Sequence, residues 1–172
     1  EGDVAVVRVT DETAASGKHS LKFVDAAGQR VSYLPHIFYG LDLTDGIAVG
    51  SFNIRVEKGA VVFHEWRDGG ANYHIGPSLR IEADGSLHAG GRKLMDIPHG
   101  VWFQIEIVCP IGKAATGKWD LTVRLTGRTA PLRFEGLPCD PRCTSLQWYG
   151  FVADGDAPGV FYIDDIHLSR RN

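Results

Sequence analysis

Val101-Trp102-Phe103-Gln104-Ile105-Glu106-Ile107-Val108-Cys109 places Val101, Phe103, Ile105, Ile107 and Cys109 at every second position, with Trp102, Gln104 and Glu106 between them. Successive side chains of a β-strand point to opposite faces, so this period of two describes a strand with one face in a core. No turn of helix would gather those five apolar side chains on one stripe.

The same pattern recurs along the chain. Trp119 to Leu125 repeats it through Trp119, Leu121, Val123 and Leu125, and Ser20 to Val24 through Leu21 and Phe23. Further strand-like runs are Val4 to Val9, Val31 to Tyr39, Ile47 to Val56, Val61 to Trp66 and Ile75 to Glu82. Ser86 to His88, Leu132 to Phe134, Leu146 to Val152 and Val160 to Leu168 complete them. Pro35 marks a kink or a sheet edge. Glu57-Lys58-Gly59-Ala60 and Ala83-Asp84-Gly85 read as hairpin loops, the second with a strong Asp-Gly signal. About a dozen strands with frequent turns, and no amphipathic helix, predict an all-β antiparallel β-sandwich, a jelly roll. With no linker-like segment or internal repeat, residues 1–172 read as one domain. A chain that begins at Glu1 without Met reads as a piece excised from a larger multidomain protein.

A net charge of −3 and a pI near 6.2 supply no basic field for nucleic acid. No apolar run approaches the ~18 residues of a membrane span. Of three cysteines, Cys109 reads as a small buried residue. Cys139 and Cys143 read either as a loop staple in an oxidising compartment or as two reduced thiols.

Chemistry concentrates in His64-Glu65-Trp66-Arg67-Asp68-Gly69-Gly70-Ala71-Asn72-Tyr73-His74-Ile75-Gly76-Pro77-Ser78-Leu79-Arg80. Rings that can cover pyranose faces sit there among hydrogen-bonding side chains. On the preceding strand Ser51, Asn53 and Arg55 face away from Phe52, Ile54 and Val56. The following strand offers that face either Val62, His64 and Trp66 or Phe63, Glu65 and Arg67. Gln104 joins from another strand. The candidate ligand set is therefore Asn53, Arg55, His64, Trp66, Arg67, Tyr73, His74, Arg80 and Gln104, suited to a polar and even anionic polysaccharide. Set against this, a Trp in the place of Trp66 is somewhat more often a core or loop-packing residue than a sugar platform. Trp102 and Trp119 read as core, and Trp148 and Tyr149 fall on opposite faces.

The ends of the chain carry a resemblance. Ala15-Ser16-Gly17-Lys18-His19-Ser20-Leu21-Lys22-Phe23 resembles the opening of jelly-roll carbohydrate-binding modules, and Phe161-Tyr162-Ile163-Asp164-Asp165-Ile166-His167-Leu168 resembles their closing strand. Gly100 to Ile107 is similar to a strand of concanavalin A-like lectin and glucanase domains. The resemblance implies a polysaccharide partner, neighbouring domains, an extracellular or periplasmic location and a structural Ca2+ where opening turn and closing strand meet. Calcium wants six to eight oxygens. Asp164 or Asp165 would supply one carboxylate, Asp11 or Glu12 a second, and Gly17 or Lys18 a carbonyl. Strand alternation lets one Asp of the pair face the ion, and Asp164 is the expected one.

Catalysis has less to stand on. The Glu-x-Asp-x-x-Glu and Glu-x-Asp-x-Glu strands of retaining glucanases are absent, and no Gly-x-Ser-x-Gly elbow or phosphate loop occurs. A lyase would use His64 or His74 as base and Tyr73 as acid, with Arg55, Arg67 or Arg80 holding a uronate carboxylate. The expectation is a non-catalytic carbohydrate-binding domain. Its alternatives are a lyase or glycoside hydrolase with an atypical site at His64–Arg80, and a structural sandwich that binds no glycan.

Overall fold

The computed structural model describes residues 5–171. The strands are β1 Val6–Thr10, β2 Ser20–Asp25, β3 His36–Leu43, β4 Gly46–Val56, β5 Val62–Arg67, β6 Ile75–Ile81 and β7 Ser86–Ala89. They continue with β8 Arg92–Asp96, β9 Phe103–Ile111, β10 Lys118–Leu125, β11 Leu132–Pro138, β12 Leu146–Ala153 and β13 Gly159–Arg171. One sheet has the order β1-β2-β13-β4-β9-β10-β11 and the other β3-β12-β5-β6-β7-β8. Every strand pair is antiparallel. The fold is the jelly-roll sandwich that the alternation predicts.

The two inner faces form one core. β9 buries Phe103, Ile105, Ile107, Cys109 and Ile111 alternately, and β4 adds Phe52, Ile54 and Val56. The six-stranded sheet answers with Val62 and Trp66, Leu79 and Ile81, and Tyr149, Phe151 and Ala153. Each large apolar side chain so buried contributes about 1.5–3 kcal/mol. Gly50 lets the sheets close over the largest rings. A Cβ there would stand 2.7 Å from Trp66 Cζ2 and 2.9 Å from Tyr149 Cε2.

Several local expectations need correction. Ile47–Val56 and Val61–Trp66 do not form a hairpin. β4 pairs with β13 and β9, whereas β5 pairs with β12 and β6, so residues 57–60 cross between the sheets. Both strands bury a face, and two buried faces are satisfied equally well by crossing the sandwich as by pairing. The Asp84-Gly85 hairpin does form between β6 and β7, with Gly85 at φ 87°. β3 begins only at His36, after a cis Leu34–Pro35 bond. β8 was not apparent from the pattern, and Val4 of the first expected strand lies outside the described residues. Trp119 is core, but Trp102 lies on the outer face, its indole N–H donating to Thr13 Oγ1 at 3.0 Å. Cys109, Cys139 and Cys143 are all free thiols. Cys109 meets Cys139, and burial pushes Cys143 up to about 12.

Opening turn and closing strand do lie together, because β13 pairs with β2. The register of β13 against β4 shifts between Asp164 and His167, with Asp165 at φ 49°. Such a bulge interrupts the side-chain alternation. Both aspartates therefore reach the same turn, contrary to the expectation that only Asp164 would.

Candidate functional site

The open face of the six-stranded sheet carries the richest chemistry. A cleft of about 400 Å3 lies there, lined by residues of β3, β5, β12 and three loops beside them. A continuous run of rings borders it: Tyr33, His36, Trp148 and Tyr73 are in its lining, and Phe38 bridges His36 and Trp148 beside it. Tyr33 meets His36 edge-on at 5.8 Å, His36 is parallel to Phe38 at 6.3 Å, and Phe38 stacks on Trp148 at 5.6 Å. The Arg67 guanidinium then sits 4.1 Å from the Trp148 ring centre and 4.2 Å from that of Tyr73. Cation–aromatic contacts of this kind contribute roughly 0.5–2 kcal/mol each.

Register explains the run. His36 and Phe38 are two apart on β3 and share a face, and Trp148 pairs directly with Arg67 across β12 and β5. Gly150 follows Trp148 by two positions on that face, and the indole lies over it. A Cβ on Gly150 would fall 1.8 Å from Trp148 Cη2. Tyr33, Phe38 and Tyr73 are 53%, 53% and 44% exposed, so their rings are available to solvent.

The polar groups of the cleft are few and mostly engaged. Arg67 Nε donates to Glu65, which is itself buried. Burial raises the Glu65 carboxyl above its usual range, against the lowering effect of Arg67. Arg80 donates to the Asp154 carboxylate and, at 2.8 Å, to Glu82. His36 Nδ1 donates to the Tyr33 carbonyl at 3.1 Å, which leaves Nε2 as the acceptor nitrogen.

The nine expected ligand residues do not come together. Phe63, Glu65 and Arg67 face outward on β5, so His64 and Trp66 face inward and are wholly buried. His64 Nδ1 donates to the Gly150 carbonyl at 2.8 Å while Nε2 accepts the Trp66 indole N–H at 2.9 Å. These two belong to the core and cannot touch a ligand. Asn53, Arg55 and Gln104 lie on the outer face of the other sheet. Asn53 donates to Asp165, Arg55 to Glu57, and Gln104 accepts from Arg124. Arg67 and Tyr73 line the cleft. Arg80 stands behind Asp154, and His74 is tied by its ring and its backbone N–H to Asp68.

Sequence reasoning missed Tyr33, His36, Phe38 and Trp148. The signal was present in His36-Ile37-Phe38-Tyr39-Gly40 and Trp148-Tyr149-Gly150, where rings alternate with glycine. A glycine beside a ring on one strand face is a place for that ring to lie flat.

The donor set at the expected calcium site does not fit the ion. Asp164 Oδ2 accepts the N–H groups of Ala15 and Ser16 at 2.8 and 3.2 Å, and Oδ1 accepts that of Asp165. Asp165 accepts the Ser16 hydroxyl at 2.5 Å and the Asn53 amide at 2.7 Å. Glu12 is turned to Lys22 and Tyr162. All four aspartate oxygens thus face proton donors rather than an oxygen cage, and Glu12 and Lys18 make no bond to either aspartate. Among the described residues no three His, Cys, Asp or Glu side chains gather in a metal-holding group.

No protein-family model matches the chain, and no curated protein matches it by sequence. Solved structures match its fold. An endo-β-1,4-glucuronan lyase from the fungus Trichoderma reesei superposes with a TM-score of 0.64 at 9% identity, covering 98% of this chain and 88% of that one. The cellulose-induced protein Cip1 gives 0.63 at 16% identity, covering 98% and 87%. A PL-14 alginate lyase from Aplysia kurodai gives 0.61 at 9%, covering 96% and 87%. The chain therefore shares the fold of these proteins, a jelly-roll β-sandwich.

Proposed function

We propose that this protein is a non-catalytic carbohydrate-binding domain that holds a polysaccharide in the cleft on the open face of the six-stranded sheet. The observation that carries the reading is the ring run Tyr33-His36-Phe38-Trp148, continued by Arg67 and Tyr73. Pyranose rings have apolar faces, and exposed aromatic side chains arranged along a cleft cover them while nearby polar groups meet the hydroxyls. Asp154 is the only carboxylate among the lining residues. A retaining hydrolase needs two about 5–5.5 Å apart.

Affinity electrophoresis through gels containing neutral or acidic polysaccharides tests this reading. Retardation by at least one polysaccharide, abolished in Trp148→Ala, is expected. Unretarded migration in all of them would sink it. In keeping with the reading, the domain works outside the cell or in the periplasm, alongside further domains that act on the same polysaccharide.

One observation favours a second reading, a polysaccharide lyase. His36 lines the cleft with Nδ1 fixed as donor, so Nε2 is free to take a proton, and the Tyr33 and Tyr73 hydroxyls lie in the same lining. Incubation with glucuronan and alginate, followed by ultraviolet absorbance of an unsaturated product, decides it. Absorbance that rises with the wild type and not with His36→Ala would replace binding by catalysis.

A further inference from the structure

We infer that the cleft selects an uncharged glycan and discriminates against uronates, an inference that rests on the glycan-binding reading above. By sequence, five cationic or potentially cationic side chains invite an anion, yet each is buried in the core or already paired with a carboxylate. His64 is a core residue with both ring nitrogens occupied. His74 Nδ1 lies 2.7 Å from Asp68, and Arg55 is paired with Glu57 on the other sheet at 2.7 Å. Arg80 is shared between Asp154 and Glu82. Arg67 is bound to Glu65, and the Tyr73 and Trp148 rings flank its guanidinium.

Two charged residues line the cleft, Arg67 and Asp154, and they are of opposite sign. A uronate carboxylate would meet an Arg67 guanidinium whose charge the buried Glu65 already balances through Nε, while approaching Asp154. Like charges brought together at an interface repel, and an arginine already paired attracts a second carboxylate less strongly than a free one. A neutral pyranose meets no such opposition. Its hydroxyls can donate to Asp154 and accept from the guanidinium edge, in charge-assisted bonds roughly twice as strong as neutral ones.

Calorimetric titration of the wild-type protein tests the inference. The probes are uncharged β-1,4-linked gluco-, xylo- and galacto-oligosaccharides and, separately, glucuronan and alginate oligosaccharides, at about 0.01 M and about 1 M salt. At least one neutral probe should bind with an affinity that salt changes by less than about threefold, and uronates should bind at least about tenfold more weakly at low salt. Asp154→Asn removes the wall carboxylate and releases Arg80, so it should raise uronate affinity about tenfold at low salt. Uronates bound as tightly as neutral probes, or an Asp154→Asn protein that takes them no better than wild type, would overturn the selectivity and leave glycan binding standing. If neither class binds at any salt, the glycan-binding reading itself fails.

Discussion

Trp66 and His64, two residues apart on β5, are joined side chain to side chain. The indole N–H donates to imidazole Nε2 at 2.9 Å, and Nδ1 of the same ring donates to the Gly150 carbonyl at 2.8 Å. Both nitrogens are committed, and the arrangement requires the neutral ring protonated at Nδ1. Burial lowers the His64 pKa from 6.5 to about 3, while the bond to Gly150 works the other way.

Acid should therefore destabilise the fold through His64. Below pH 6.5 the unfolded chain takes up a proton that the folded chain refuses, so the stability present above that pH is lost progressively down to about 3. The ceiling of this loss is about 5 kcal/mol. NMR of the folded protein should show His64 ring signals that do not titrate between neutral pH and about 4. A normal titration midpoint near that of a free histidine would refute the assignment. His64→Phe leaves the buried Trp66 indole N–H without its partner and removes the bond to the Gly150 carbonyl, at about 1–3 kcal/mol for the orphaned donor, measured by denaturant unfolding at neutral pH.

The alternation in Val101–Cys109 specified the sandwich because burying one face of a strand demands a period of two whatever lies opposite. It did not specify partners. β4 and β5 read as a hairpin by loop length, yet they lie in different sheets, and that separation moved Asn53 and Arg55 to the far side from Arg67. The inward placement of His64 was illegible for a related reason. A polar ring is compatible with a core only if both nitrogens find partners, and one partner, Gly150, is 86 residues away. The aspartate pair failed differently, since a bulge at Asp165 changes which way a side chain points and strand periodicity carries no trace of it.

Gly50 and Gly40 make a paired test of core packing. Gly50→Ala drives a methyl to 2.7 Å from Trp66 and 2.9 Å from Tyr149, both fully buried. The expected cost is about 1–3 kcal/mol, read as a lower denaturant midpoint with unchanged slope. Gly40→Ala on exposed β3 meets nothing within 4 Å and should stay within about 0.5 kcal/mol of wild type. Equal effects at the two positions would contradict the packing described.

The Asp164–Asp165 clamp holds the opening turn by hydrogen bonds. Asp164→Ala removes the acceptor of the Ala15 and Ser16 N–H groups and should cost about 1–2 kcal/mol, with faster hydrogen exchange at those two amides. Calcium added to the wild type in large excess over chelator should leave its melting temperature unchanged. A calcium-dependent rise in Tm that Asp164→Ala abolishes would show that the oxygens reorganise around an ion.

Trp148 is held flat over Gly150, so a change at Gly150 acts on the ring. The indole covers Gly150 so closely that a Cβ would lie 1.8 Å from Cη2 and 2.1 Å from Cζ3, and a rigid ring can relieve that overlap only by leaving. Gly150→Ala should then part Trp148 from Phe38 and Arg67 while leaving the Gly150 carbonyl on His64. Each aromatic contact is worth about 0.5–1.5 kcal/mol, so loss of the platform should weaken binding of the best oligosaccharide about tenfold or more by calorimetry. Trp148→Ala should weaken it similarly. The two changes act on one ring, so in a double-mutant cycle Gly150→Ala in the Trp148→Ala background should add almost nothing to the loss of affinity. Additive losses would mean that Gly150 acts through the sheet rather than through the indole, and the ring run would lose its place as the binding surface.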